Sequence, residues 1–257
     1  MRKGVFGAVP AGKDAVLTRL GTAAWGLPAA VRDRFPAGDS LLRRYAGVFN
    51  GVEINSSFYR PHRRETYARW GASTPDDFRF AVKAPRTVTH ERGLVNVAEP
   101  VERFLDEIGG LGGKLGPVLI QGPPSLRFAP DVADAFFTLW RERFDGRTVC
   151  EPRHKSWFTP EAERVLIRHR IVRVAADPAL MHAAGAPGGW DGFAYFRLHG
   201  SPEIYASSYG ADMLARLAAD LPEAAWVIFD NTKFGAATEN ALTLQGLLTR
   251  RRALLSP

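Results

Sequence analysis

Cysteine is nearly missing from this chain. Cys150 is the one thiol in 257 residues, so no disulfide can form within it, which suits a reducing compartment. Long apolar runs are missing too, and none approaches the ~20 residues that span a bilayer. The stretch from Met1 to Leu20 has Arg2 and Lys3, but Gly12, Lys13 and Asp14 interrupt any apolar block behind them. A secretory signal is therefore not expected. The expectation is a cytoplasmic protein with no membrane partner. No Gly-rich dinucleotide fingerprint follows an apolar run, and no His-Glu-x-x-His metal motif occurs. Low-complexity segments are also absent, which leaves one folded chain.

Hydrophobic residues make up 46% and charged residues 24%, enough apolar material for a large core and too little charge for disorder. The formal net charge is +7. Such a balance draws anions, whether phosphates, acidic metabolites or nucleic acid. The arginines are scattered. Their one cluster, Arg250-Arg251-Arg252, falls where a C-terminal helix dipole favours cations.

The informative pattern is an alternation. Short apolar runs end in polar residues, and amphipathic stretches follow. Eight candidate strands result: 21–25, 51–54, 78–83, 117–121, 148–151, 171–175, 193–199 and 225–230. Their starts lie about 29 residues apart on average, close to the ~30 of one βα unit. Between them, Val132, Ala135, Phe136, Leu139 and Trp140 form a helical stripe, as do Ala237, Asn240, Ala241, Leu244, Leu247 and Leu248. Thr159-Pro160-Glu161 reads as an N-cap with proline at the first helical position. Insertions at 26–40 and 178–192 follow the first and sixth strands. Eight such units in a chain near 250 residues predict an α/β protein, a single (β/α)₈ TIM barrel with an eight-stranded parallel sheet. One domain covers 1–257, with residues 1–20 as an N-terminal extension.

In a parallel barrel the C-terminal strand ends converge on one mouth. Those ends supply Trp25, Glu53, Lys83, Gln121, Glu151 with Arg153, Asp177, Arg197 with His199, and Asp230 with Asn231. Any single polar residue there could simply mark where a wet loop begins. Four acids and three cations from several strand ends are harder to explain that way, since buried charge is costly without a partner or a task.

Several segments carry a resemblance. They are Val52-Glu53-Ile54-Asn55-Ser56-Ser57-Phe58-Tyr59-Arg60, Phe80-Ala81-Val82-Lys83-Ala84, Gln121-Gly122-Pro123-Pro124, Glu151-Pro152-Arg153-His154-Lys155-Ser156-Trp157 and Tyr195-Phe196-Arg197-Leu198-His199-Gly200. With the closing Phe229-Asp230-Asn231-Thr232, they resemble the YecE-like family (domain of unknown function seventy-two) over roughly residues 21 to 250. The resemblance implies a TIM barrel and names no reaction. The chain departs from the family's usual pattern at Thr22-Ala23-Ala24 before Trp25, at Arg153-His154, and at Asp230.

The roles follow from residue chemistry. Glu53, Glu151 and His199 are the proton-transfer candidates, since two carboxylates in different environments can divide acid and base work and histidine titrates near neutrality. Trp25, Lys83, Gln121, Arg153, Asp177, Arg197, Asp230 and Asn231 are expected to bind substrate. Lys83 could instead pair with Glu53 or form a Schiff base. No cofactor and no dedicated metal ligand is expected. A divalent cation on Glu53, Glu151, Asp177, His199 and Asp230 is the alternative, opposed by Lys83 and Arg197. The sequence thus points to an enzyme, a hydrolase, lyase or isomerase, acting by acid–base chemistry on a small anionic or polyhydroxyl ligand. A nucleic-acid-binding protein and a non-catalytic ligand sensor are the alternatives. Oligomeric state is not legible.

Overall fold

The computed structural model describes residues 18–255. Residues 1–17, which hold nearly all of the expected N-terminal extension and the region searched for a signal, lie outside the described residues. Among the described residues no helix is long and apolar enough to cross a membrane.

The chain alternates strand and helix. In order these are β1 (Arg19–Thr22), α1 (Leu41–Ala46), β2 (Gly51–Ile54), α2 (Ser56–Tyr59), α3 (Arg64–Ala72), β3 (Arg79–Lys83), α4 (Ala98–Ile108), β4 (Leu115–Gln121), α5 (Pro130–Arg143) and β5 (Thr148–Glu151). Then come α6 (Pro160–Arg168), β6 (Ile171–Arg173), β7 (Ala175–Asp177), β8 (Gly188–Gly189), β9 (Ala194–Leu198), α7 (Ala211–Asp220), β10 (Ala225–Phe229) and α8 (Ala236–Leu255). Local chemistry explains several boundaries. Thr159 caps α6, its hydroxyl accepting from the Ala162 N–H, with Pro160 opening the helix. Ser40 does the same for α1 through Arg43.

The expected single closed eight-stranded parallel barrel is not what forms. The strands make two sheets, one ordered β1-β10-β9-β7 and one ordered β2-β3-β4-β5-β6-β8. Two breaks cause this. The candidate strand 171–175 divides at Val174: β6 pairs with β5, while β7 pairs with β9 in the other sheet. The free side of β6 is taken by Gly188-Gly189 from the insertion 178–192, which pairs antiparallel with Val172 and Arg173. At the other seam, β1 and β2 share only one bridge, Ala23 to Glu53, with the Ala24 N–H donating to the Glu53 carbonyl at 2.8 Å. The α/β class and the parallel sense of the other strand pairs stand; the continuous ladder does not.

Strand alternation then sorts the side chains. Ala81, Leu119, Val149, Tyr195 and Ile228 belong to one buried cluster drawing on both sheets. Side chains two residues apart share a face, so Lys83, Gln121, Glu151, Arg197 and Asp230 form the next layer toward the C-terminal strand ends. A larger core joins the sheets to the helices. In α5 the buried face is Ala133, Phe136, Phe137 and Trp140, while Ala135 is exposed. The expected stripe is rotated because bulky Phe137 takes the core side. Trp140 is wholly buried, its indole N–H donating to the Thr148 hydroxyl at 3.0 Å.

The β1–β2 seam depends on a missing side chain. A Cβ on Gly21 would lie 2.1 Å from the Gly51 carbonyl oxygen and 2.9 Å from the Tyr45 hydroxyl. Gly21→Ala is expected to cost about 1–3 kcal/mol by overpacking, read by urea denaturation. An unchanged midpoint would contradict this close approach.

Candidate functional site

Arg197 comes from β9 and is wholly buried. A guanidinium has five N–H donors, and the acceptors around it number five. Its Nε donates to Glu53 Oε2 at 3.1 Å, and Nη2 donates to Glu53 Oε1 at 2.7 Å and Asp230 Oδ2 at 3.0 Å. Nη1 donates to Glu151 Oε2 at 2.6 Å and Gln121 Oε1 at 3.2 Å. Burial opposes the charge, but the three carboxylates outweigh it and push the Arg197 pKa well above its ordinary value. The expected role of Arg197 as a substrate clamp is not what its bonding supports, because its donors are spent within the protein.

The carboxylates are shared further. Glu53 Oε2 also accepts from the Tyr195 hydroxyl at 2.8 Å. Burial and the Glu53 charge push that phenol's pKa well up, so it remains a donor. His199, also wholly buried, sets Nδ1 3.0 Å from Asp230 Oδ2 and Nε2 2.8 Å from Glu151 Oε1. Arg153 reaches Glu151 Oε1 at 2.7 Å and His199 Nε2 at 2.8 Å with the same nitrogen. Whether Nε2 accepts from Arg153 or donates to Glu151 follows the imidazole tautomer. For Glu151, burial works against ionisation, yet Arg197, His199 and Arg153 hold its carboxyl well below the usual carboxylate range. Asp230 is buried as well, and Arg197 and His199 hold it low in the same way.

Lys83 stands apart. It is 8% exposed at the end of β3, and it forms no side-chain hydrogen bond or ion pair among the described residues. Its Nζ lies 4.2 Å over the Phe58 ring. The expected pairing with Glu53 does not form, because Arg197 and Tyr195 already occupy both Glu53 oxygens. Burial, then the Arg197 charge, lowers the Lys83 pKa to about 8. Arg153 Nε, by contrast, is a sealed donor without an acceptor.

The remaining sequence-predicted residues fall outside this network. Asp177 accepts from the Tyr209 hydroxyl at 2.8 Å. Asn231 donates to the Ser207 carbonyl and the Asn240 side chain, both at 2.9 Å. Together these pin the loop between β9 and α7. Trp25 packs edge-on against Trp70, ring centroids 5.1 Å apart. Tyr195 joins the cluster without ending a strand; its strand parity with Arg197 and His199 is the sequence signal for it. Among the described residues, no three His, Cys, Asp or Glu side chains are placed to hold a metal ion. The acids of the divalent-cation alternative are engaged by Arg197, His199 and Tyr209 instead. Cys150 is buried, which pushes its thiol up to about 12 and leaves it inert. Two cavities lie away from the cluster, one of about 570 Å³ beside Arg79 and Lys114 and one of about 330 Å³ between α5 and α6.

Removing Arg197 tests the network. Arg197→Met leaves three buried carboxylates short of a counter-ion and is expected to cost about 3–5 kcal/mol. Depressed carboxyl pKa values add stability above the ordinary carboxylate range, and this is lost as pH falls through the folded-state values. The variant's deficit is therefore largest at neutral pH and shrinks on acidification. A deficit in urea melts that does not depend on pH would contradict the assignment.

With this geometry in hand, the relatives are informative. The family model described as "Protein of unknown function DUF72" matches residues 19–257. The UPF0759 protein YecE of Escherichia coli K12 is 32% identical over 174 residues, covering 64% of this chain and 61% of the relative. The UPF0759 protein YunF of Bacillus subtilis is 30% identical over 149 residues, covering 55% of this chain and 52% of the relative. The matched part thus spans about three fifths or less of these curated relatives. A DUF72 family protein from Thermotoga maritima superposes with a TM-score of 0.76 at 26% identity, covering 91% of this chain and 99% of that one. The chain belongs to the DUF72 family, the family of YecE and YunF.

Proposed function

We propose that the strand-end cluster is the active site of an enzyme that acts by acid–base chemistry on a small anionic or polyhydroxyl substrate, phosphorylated substrates included. The observation that carries this reading is the division of the cluster into two parts. Arg197, Glu53 and Tyr195 satisfy one another completely. Lys83, Arg153 and one oxygen of Asp230 retain unused hydrogen-bonding capacity beside them. A buried polar group without a partner costs free energy, and a ligand that supplies the partner recovers it.

The roles follow from the bonding. Lys83 and Arg153 meet negative charge, Arg153 through Nη1, since its Nη2 is held by Glu151 and His199 and its Nε is sealed. Gln121, already positioned by Arg197, orients a hydroxyl through its free amide N–H groups. The proton-transfer set is Glu151, His199 and Asp230, a histidine between two carboxylates. Glu53 is a holder of Arg197 in this scheme rather than a proton carrier, since both its oxygens are engaged.

The test is a thermal-shift screen of sugar phosphates, nucleotides, short single-stranded oligonucleotides and divalent cations. It uses the natural chain and a Lys83→Ala/Arg153→Ala double variant. A ligand at 100 times its Kd stabilises by about 2.7 kcal/mol. Stabilisation by one small anion, lost in the double variant, is the expected outcome. A shift confined to oligonucleotides and retained in the variant would sink the reading.

A further inference from the structure

We propose that Lys83 forms a covalent imine with a small aldehyde or ketone, so that the substrate of the strand-end site is a carbonyl compound. This rests on the reading of that cluster as a small-molecule site, and it narrows the substrate class.

The chain has six lysines and 28 arginines. Where it needs a fixed charge it uses arginine: among the described residues Lys233, paired with Glu203, is the one lysine in an ion pair. Lys114 spends its amine on the Gly71 and Thr74 carbonyls. Lys83 is different. It sits in the buried polar layer and touches no acceptor, and its Nζ is not among the sealed unpartnered atoms. The amine therefore reaches open space. Its Nζ lies 4.2 Å over the Phe58 ring, and Glu53, Glu151 and Asp230 are held by Arg197.

Imine formation needs a neutral amine at working pH. Burial and the Arg197 charge favour the neutral form. The product has the opposite need. A protonated imine carries a positive charge at the same nitrogen, and the charges of Glu53, Glu151 and Asp230 act to favour a cation there. Those acids favour the ammonium and the iminium alike, while burial and the Arg197 charge outweigh them in lowering the amine's pKa to about 8. Arg153, bound to Glu151 at 2.7 Å in the same strand-end cluster, is the group assigned to a carboxylate or phosphate elsewhere on the same molecule.

The step balances without a redox partner. The Lys83 nitrogen bonds to the carbonyl carbon, and the carbon–oxygen bond breaks. Both amine hydrogens leave with that oxygen as water. The imine nitrogen then takes a proton from solvent.

The experiment is reductive trapping on the natural chain. Glycolaldehyde, dihydroxyacetone phosphate and pyruvate are each supplied with cyanoborohydride, which delivers hydride to an imine and fixes it as a secondary amine. Peptide mapping then locates the adduct. The expected result is modification of Lys83 in excess over exposed Lys155 by on the order of tenfold or more near neutral pH, since each unit of pKa is a tenfold change in neutral amine. Labelling of Lys83 should rise with a midpoint near pH 8. Lys83→Arg and Lys83→Met should lose the adduct, and Lys155→Arg should keep it. Labelling of Lys155, Lys114 and Lys233 at least as strong as Lys83 with all three probes overturns the proposal. A parallel thermal shift with inorganic phosphate separates the two failures. Phosphate stabilisation that needs Arg153, without Lys83 labelling, removes the imine and leaves the site. Neither signal removes both.

Discussion

The bidentate bond between Arg197 and Glu53 is the contact on which the rest depends. Arg197 stands on β9 of one sheet and Glu53 on β2 of the other. The two sheets share little backbone pairing, a single bridge at Ala23 and Glu53. The guanidinium therefore does what a continuous ladder would otherwise do, reaching Glu53, Gln121 and Glu151 across the gap. A buried ion pair seldom adds net stability over a well-packed apolar one, but breaking one side of it is costly. What the arrangement provides is position. Each carboxylate is held by a planar fork whose geometry lysine could not reproduce.

The same saturation shapes the chemistry nearby. Arg197 and Tyr195 occupy Glu53, and Arg197, Arg153 and His199 occupy Glu151, so neither glutamate pairs with Lys83. An amine that would ordinarily be a solvated cation is left buried beside a cation, with an aromatic ring beneath it. Its lowered pKa is thus a consequence of bonds it does not make. His199 shows the converse. A carboxylate stands on each side of its ring.

Much of this was legible in the sequence. Parallel strands fed by βα units bring their C-terminal ends together, so Glu53, Lys83, Gln121, Glu151, Arg197, His199 and Asp230 could be grouped from strand ends alone. Their bonding was not legible. Nothing local to Arg197 says that five acceptors will consume its donors, so residue type alone points to substrate binding. The expected Lys83–Glu53 pair failed for the same nonlocal reason. The closed barrel failed at Val174, where one apolar run serves two sheets, and at Gly188-Gly189, whose two glycines carry no apolar alternation to mark a strand. In α5, adjacent Phe136 and Phe137 allowed two helical phases, and packing volume chose between them.

The most direct test of this account is the titration of the Lys83 amine itself. Six lysines make a tractable set for nitrogen and carbon NMR on selectively labelled protein, with Lys83→Arg assigning the resonance. The account predicts a Lys83 midpoint near 8, moving up when an anion binds beside it and up when Arg197 is replaced by methionine. A midpoint at the ordinary lysine value of about 10.4, unmoved by loss of Arg197, would contradict it.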